Sequence, residues 1–297
     1  MATAFCPAHI TGFFKAELNK ENSKELGSLG AGFSIQKGVK TTVTIRNKTK
    51  HDISNFTIKV NGFESGDMRV SEVVLSKFPT KEKFVDVIHE IDVPVGYGFG
   101  SSAAVALSLA IALNDALEYK LSKIKVAQIA HDVEIECKTG LGDVLASYHG
   151  GFEIRDKPGA PGIGHVQKIS LNKISIIMIC FSPISTSKFI KERLPQINGL
   201  GEKMVNKLLE SKNYEHFQEM SLEFAKYVDV MTPRMQKVVN ELSKNNIKCG
   251  IALFGETIFS MIPKENENKV LEILEKYSDG IIIKSELDDV GARVLHN

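Results

Sequence analysis

Apolar residues recur along the chain with two different periods, and together they predict a mixed α/β protein. Residues 37–45 (KGVKTTVTI) and 56–60 (FTIKV) are rich in β-branched side chains and read as strands. Asn61-Gly62, beside the second, is a two-residue turn signal, so antiparallel sheet is expected here. Residues 70–78 predict a short helix, and the run FVDVIHEIDV from Phe84 alternates like a half-buried strand up to Pro94. From Ser101 to about Leu117 nearly every position is apolar, which predicts a helix surrounded by protein. A further helix is expected after Ser122, which suits an N-cap, ending before Thr139-Gly140. Residues 155–164 (RDKPGAPGIG) are too rich in glycine and proline for regular structure, so a loop is expected there. A domain border just beyond it divides the chain into 1–168 and 169–297.

The second part opens on a buried-strand run, ISIIMICFS (174–182), followed by helical stretches around Glu202, His216 and Met235. Thr232 and Pro233 form the start signal of the third. CGIALF, TIFSMI, a helix from about Asn266 to Tyr277, and GIIIK complete the pattern. Strand pairs interleaved with helices predict an α+β fold of two-layer sandwiches.

Composition narrows the functions. At 297 residues and 43% hydrophobic, the chain can bury a core for about two domains. Lys and Arg total 37 against 36 acidic residues, a net charge of +1, so no whole-chain field draws nucleic acid or an anionic membrane. The apolar run 101–113 is too short to span a bilayer and the first residues carry no basic-then-apolar signal, so a soluble, cytoplasmic protein is expected. Four scattered cysteines lack zinc spacing and predict reduced, buried thiols.

The candidate chemistry lies in PVGYGFGSSAA, residues 94–104. Glycines admit positive φ and let backbone amides turn toward one point, and a helix N-terminus adds its dipole, so such a stretch can bind phosphate. A bare strand-to-helix turn would also be built from glycine. A Walker A loop is excluded, because Gly-Lys-Ser/Thr is missing. Gly98-x-Gly100-x-x-Ala103 fits a relaxed dinucleotide fingerprint, with Glu118 as its acidic residue, but Glu118 follows a helix where that motif needs a strand end. The remaining reading is a triphosphate cradle without the lysine, in which Ser102 places its hydroxyl on magnesium.

Pro94, Gly98 and Gly100-Ser101-Ser102-Ala103-Ala104 resemble the phosphate loop of the GHMP kinases, the superfamily of galactokinase, homoserine kinase and mevalonate kinase. CPAHITGFF (6–14) resembles that superfamily's first motif, and TGLGDVLASYHGG (139–151) its aspartate-bearing segment. AFCPAHITGFF, GSLGAG (27–32) and TGLGDV together resemble its pantoate-phosphorylating branch. The resemblance implies ATP and Mg2+, an N-terminal domain like domain 2 of ribosomal protein S5, and a ferredoxin-like C-terminal domain. It also implies a small-molecule partner, pantoate, with no nucleic acid and no membrane; a homodimer is left open.

The resemblance assigns roles residue by residue. Pro94, Gly96, Gly98, Gly100, Ser101, Ser102 and Ala103 would hold the phosphates. Asp143 would be the catalytic carboxylate, although an aspartate before VLASY also suits a helix N-cap. Glu134 would share magnesium with Ser102, with Asp132 or Glu136 as alternatives on the same helix. His9 stands where mevalonate kinase has a lysine and would act in catalysis or substrate binding, with Thr11 on the same side of the strand. Residues 27–32, with Ser28 and Gly30, would form a second nest whose amides receive the substrate carboxylate. The third GHMP motif is atypical: Gly250 and Gly255 bracket apolar residues before Glu256, and a strand and turn forming the far wall of the cleft are expected there. A kinase for another small hydroxylated metabolite, such as mevalonate or homoserine, is the alternative within the superfamily. A dinucleotide-dependent dehydrogenase and an inactive nucleotide-binding regulator are alternatives outside it.

Overall fold

Two long strands, β1 (Ala2–Glu17) and β2 (Gly27–Asn47), pair antiparallel along most of their length and form the spine of the first sheet. The structure, a computed structural model, describes residues 1–63, 66–80 and 82–296, with Ser187 described through its backbone. Strand β2 contains the expected 37–45 segment but begins at Gly27, so GSLGAG is strand and not loop. Its glycines tolerate extended backbone as readily as a turn, and the reason for them lies in the side chains that cross over this strand.

Strand β3 (Phe56–Gly62), helix α1 (Arg69–Ser76) and strand β4 (Lys83–Ile91) follow. The β4 strand pairs antiparallel with β2, as expected, but β3 lies parallel to β4. Asn61-Gly62 therefore does not close a hairpin: parallel neighbours need a crossover, and α1 supplies it.

Helices α2 (Ser101–Ala116), α3 (Lys123–Cys137) and α4 (Asp143–His149) come next. Helix α2 is buried at every position from Ala103 to Leu113 except Val105, which accounts for its lack of a polar face. Ser122 caps α3 by accepting from the Lys125 amide. Strands β5 (Phe152–Lys157) and β6 (His165–Ile169) close the first half, with β5 pairing β2 antiparallel. The glycine-proline stretch is thus strand at its first three residues, where Arg155 pairs with Gly30, and irregular only from residue 158.

The second half comprises β7 (Ile174–Pro183), α5 (Thr186–Ser211), α6 (Tyr214–Tyr227), α7 (Pro233–Lys244), β8 (Gly250–Ala252), β9 (Gly255–Pro263), α8 (Glu267–Leu274), β10 (Ile281–Glu286) and β11 (Arg293–Leu295). Thr232 caps α7 from the Met235 amide, with Pro233 in its first turn. The first sheet has the order β11-β1-β2-β4-β3, with β5 on the first part of β2 and β6 beyond it. The second, β10-β7-β9-β8, is antiparallel throughout. The chain passes from the first sheet to the second between β6 and β7, and β11 returns its end to β1. All four cysteines are buried and free. Among the described residues no helix is long and apolar enough to cross a membrane.

Candidate active site

The loop between β4 and α2 holds three glycines in left-handed conformations, Gly96, Gly98 and Gly100, with φ of +85°, +87° and +56°. Residues with a Cβ rarely adopt this backbone, so the sequence needs glycine at each turn of the loop. Gly100 is the N-cap of α2, and the first amides of that helix, at Ser101, Ser102 and Ala103, have no preceding helical carbonyls to bond. The amide of His9 donates to the Phe99 carbonyl at 3.0 Å and ties the loop to β1. From the other side Thr257 Oγ1 donates to the Tyr97 carbonyl at 2.8 Å, and a Cβ on Gly98 would stand 2.5 Å from the Leu253 carbonyl. The β8–β9 hairpin therefore backs the loop and forms the far wall expected of the atypical third motif.

Three carboxylates on α3 were candidates for the metal, and the fold separates them. Glu134 is buried against the loop and accepts from Ser102 Oγ at 3.2 Å and from Thr139 Oγ1 at 2.5 Å. Asp132 instead accepts from Ser23 Oγ, and Glu136 pairs with Lys77, both away from the loop. Burial, aided by the nearby charge of Asp143, pushes the Glu134 carboxyl up to about 7 against those two hydrogen bonds. A Cβ on Gly140 would run into Glu134 Oε2 and stand 3.2 Å from Asp143 Oδ2, so the two carboxylates flank this glycine.

Asp143 is the first residue of α4, while its N-cap is Gly142 without a side-chain cap bond, so Asp143 does not act as the cap. Its Oδ1 lies 2.8 Å from His9 Nδ1. The other ring nitrogen of His9 is 2.9 Å from Glu153 Oε1, which also accepts from Arg155 Nη1 at 2.5 Å. Arg155 Nη2 reaches Thr11 Oγ1 at 3.4 Å. Strand alternation places His9 and Thr11 on one face of β1, and Glu153 and Arg155 on one face of β5. Burial disfavours a charged His9, yet the hydrogen bonds to Asp143 and Glu153 outweigh it and hold its pKa above the ordinary value. Burial likewise opposes the Asp143 charge, and His9 and Arg155 prevail, holding that carboxyl below its usual range.

These side chains meet across β2, which lies between β1 and β5. A Cβ on Gly32 would stand 2.5 Å from His9 Nε2, and one on Gly30 would stand 2.6 Å from Arg155 Nη2. Gly30 and Gly32 are therefore openings for neighbouring side chains, while Gly27 makes room for the backbone of Gly159. Residues 27–32 are extended strand and not the expected amide nest, paired to β1 throughout and to β5 from Gly30 onward. Ser28 and Thr11, with Asp143 and Arg155, line the polar side of a narrow cleft of about 10 Å³ whose apolar side is Phe14, Leu141, Ile190 and Phe254, so a ligand larger than a water enters only if these walls move apart. On the opposite flank of the glycine loop, Ser71, His89, Val95, Ser101, Ser102 and Thr139 are among the residues lining a second cavity of about 170 Å³.

Residues 68–151 match the family described as the GHMP kinases N terminal domain. The pantoate kinase of Methanocaldococcus jannaschii is 34% identical over 276 residues, covering 91% of this chain and 96% of that protein. The pantoate kinase of Thermococcus kodakarensis is 30% identical over 275 residues, 91% of each. The chain belongs to the pantoate kinase family of the GHMP kinases. A solved structure described as a phosphotransferase related to the CoA biosynthesis pathway superposes on this GHMP kinase fold with a TM-score of 0.87, at 28% identity, covering 98% of this chain and 97% of that one.

Family membership displaces the dinucleotide reading, and the fold explains why the fingerprint misleads. Helix α2 is followed by α3 and not by a parallel strand, and Glu118 lies beyond the far end of α2, about 24 Å along the axis from the glycines. The loop glycines, Ser102, Glu134, Asp143, His9 and Thr11 converge, and Ser28 joins them at the cleft. Glu153 and Arg155 also belong to this cluster, although sequence reasoning passed over them. Their signal was an opposite-charge pair two residues apart in FEIRDK, alternating with Phe152 and Ile154, the two apolar residues of the strand.

Proposed function

We propose that the chain transfers the γ-phosphoryl group of ATP to the 4-hydroxyl of pantoate, giving 4-phosphopantoate on the route to coenzyme A. The observation that carries this reading is that the buried Glu134–Ser102 pair and the His9–Asp143 pair stand beside the same glycine loop, with Glu134 and Asp143 both flanking Gly140 and Asp143 lying against Gly100, in a chain of the pantoate kinase family. The amides from Gly98 to Ala103 receive the phosphates, with Pro94 and Gly96 setting the approach of the loop. The 4-hydroxyl gives its proton to Asp143 as its oxygen bonds the γ-phosphorus, the bond to the β-bridging oxygen breaks, and ADP leaves. Asp143 is suited to this because His9 and Arg155 keep it ionised and hold its side chain in place.

Glu134 and Ser102 present two hard oxygen donors at the mouth of α2, which fits magnesium, an ion that takes few protein ligands and fills the rest with phosphate and water. Held by these two residues, magnesium would supply charge neutralisation to the bound phosphates. Arg155, Thr11 and Ser28 form the polar side of the cleft and receive the pantoate carboxylate, Arg155 through the charge it carries and Gly30 by leaving room for its guanidinium. The apolar side, Phe14, Leu141, Ile190 and Phe254, faces the branched carbon skeleton. Assaying ADP release with pantoate, mevalonate, homoserine and galactose side by side tests the reading. Turnover with pantoate alone is expected; turnover with mevalonate or homoserine and none with pantoate would overturn it.

A further inference from the structure

Both ring nitrogens of His9 face carboxylate oxygens, Asp143 Oδ1 at 2.8 Å and Glu153 Oε1 at 2.9 Å. A neutral imidazole has one N–H and one lone pair, so it can satisfy only one of them; the other contact would set two acceptors against each other. The conflict ends if one carboxyl is protonated or if the ring carries both protons. Glu153 Oε1 also accepts from Arg155 Nη1 at 2.5 Å, so this oxygen is already an acceptor and does not hold the missing hydrogen. Arg155 Nη1 also lies within hydrogen-bond distance of His9 Nε2, at 3.3 Å, but a hydrogen donated from there leaves the ring lone pair facing Glu153 Oε1 at 2.9 Å, so the closer contact still lacks a proton between its two acceptors. Counting the charges that face the ring gives the same answer. Asp143 on α4 and Glu153 on β5 are anions and Arg155 on β5 is a cation, while Thr11 on β1 and Ser34, the cross-strand neighbour on β2, are uncharged. Among these groups an imidazolium brings two negative charges into balance with two positive ones, as a buried cluster requires.

We infer that Glu153 is a positioning residue which keeps His9 a buried cation, so that Asp143 faces a fixed positive charge supplied by a titratable ring. Glu153 reaches the cleft only through its neighbours His9 and Arg155: its carboxylate is fully buried and is not among the residues lining the cleft. The kinetic consequence rests on the kinase reading above, while the protonation state of His9 does not.

The test has two arms. In wild-type protein labelled with 15N-histidine, both His9 ring nitrogens are expected to remain protonated at about pH 8, well above the ordinary histidine range. A neutral ring at about pH 7 would overturn the inference, whatever the substrate proves to be. In the second arm, Glu153→Gln removes the charge with little change in shape. The alkaline limb of the kcat profile and the His9 titration are expected to move together to lower pH by about one unit or more, with the KM for ATP unchanged. Glu153→Asp should return the limb part of the way. A Glu153→Gln profile that only falls in height, with its limb unmoved, would overturn the assignment. Should Glu153→Gln fail to fold, the wild-type titration decides alone.

Discussion

His9 Nδ1 and Asp143 Oδ1 lie 2.8 Å apart although 134 residues separate them in the chain. The contact joins the first strand to the first turn of α4, and a Cβ on Gly100 would stand 3.4 Å from Asp143 Cγ, so the pair lies beside the glycine loop. Asp143→Asn keeps the shape and removes the proton acceptor. It is expected to lower kcat by about two orders of magnitude or more while leaving the KM for ATP nearly unchanged. Steady-state kinetics check this, and activity within about threefold of wild type would remove Asp143 from the role.

Ser102 donates to Glu134 at 3.2 Å at the opening of α2. With Ser102→Ala one of two oxygen donors at this point is lost. The magnesium concentration for half-maximal activity is expected to rise, and a titration curve superimposable on wild type would contradict the ligand role.

Gly32 is needed for space. A Cβ there would collide with the Ile10 carbonyl and stand 2.5 Å from His9 Nε2, and a backbone atom in a paired strand has little freedom to move aside. Gly32→Ala is expected to cost about 1–3 kcal/mol of stability and to lower kcat by displacing His9. Thermal melts and kinetics on the same preparation check both, and a variant with unchanged melting and turnover would contradict the crossing geometry.

Much of this site was legible because its chemistry sits in contiguous motifs. The loop 94–104, Asp143 between glycines, and His9 with Thr11 at strand spacing each carry their signal within a few residues. The metal carboxylate was narrower in structure than in sequence, since Asp132, Glu134 and Glu136 share one helix and only burial tells them apart. GSLGAG was misread because glycine marks both a turn and a strand that others must approach closely, and only the register of β1, β2 and β5 distinguishes them. The same register hides Glu153 and Arg155, which gain meaning from a histidine about 145 residues away in the chain. Asn61-Gly62 failed for a related reason: a turn signal describes two residues, whereas the pairing of β3 with β4 is decided by the helix between them.

Buried His89 provides a stability test. Its ring nitrogens meet Thr41 Oγ1 at 2.8 Å and Ser71 Oγ at 3.0 Å, and burial lowers its pKa to about 4. The unfolded chain takes up this proton below about pH 6.5 and the folded chain only near pH 4, so the unfolded state gains stability as pH falls between them. The His89 contribution to stability is therefore present above about pH 6.5 and is lost toward pH 4, by roughly 3 kcal/mol. Denaturant unfolding of wild type and His89→Asn across this range should show a shallower acid decline in the variant. Parallel declines would contradict a neutral, buried His89.

The central claim is that the glycine loop holds the triphosphate while Asp143 faces the incoming hydroxyl. A crystal structure with a non-hydrolysable ATP analogue, magnesium and pantoate tests it most directly. The γ-phosphate is expected against the amides of residues 98–103, the 4-hydroxyl within hydrogen-bond reach of Asp143, and the pantoate carboxylate toward Arg155. Phosphates bound away from Gly98 and Ser102, or a pantoate whose 4-hydroxyl points away from Asp143, would contradict the account.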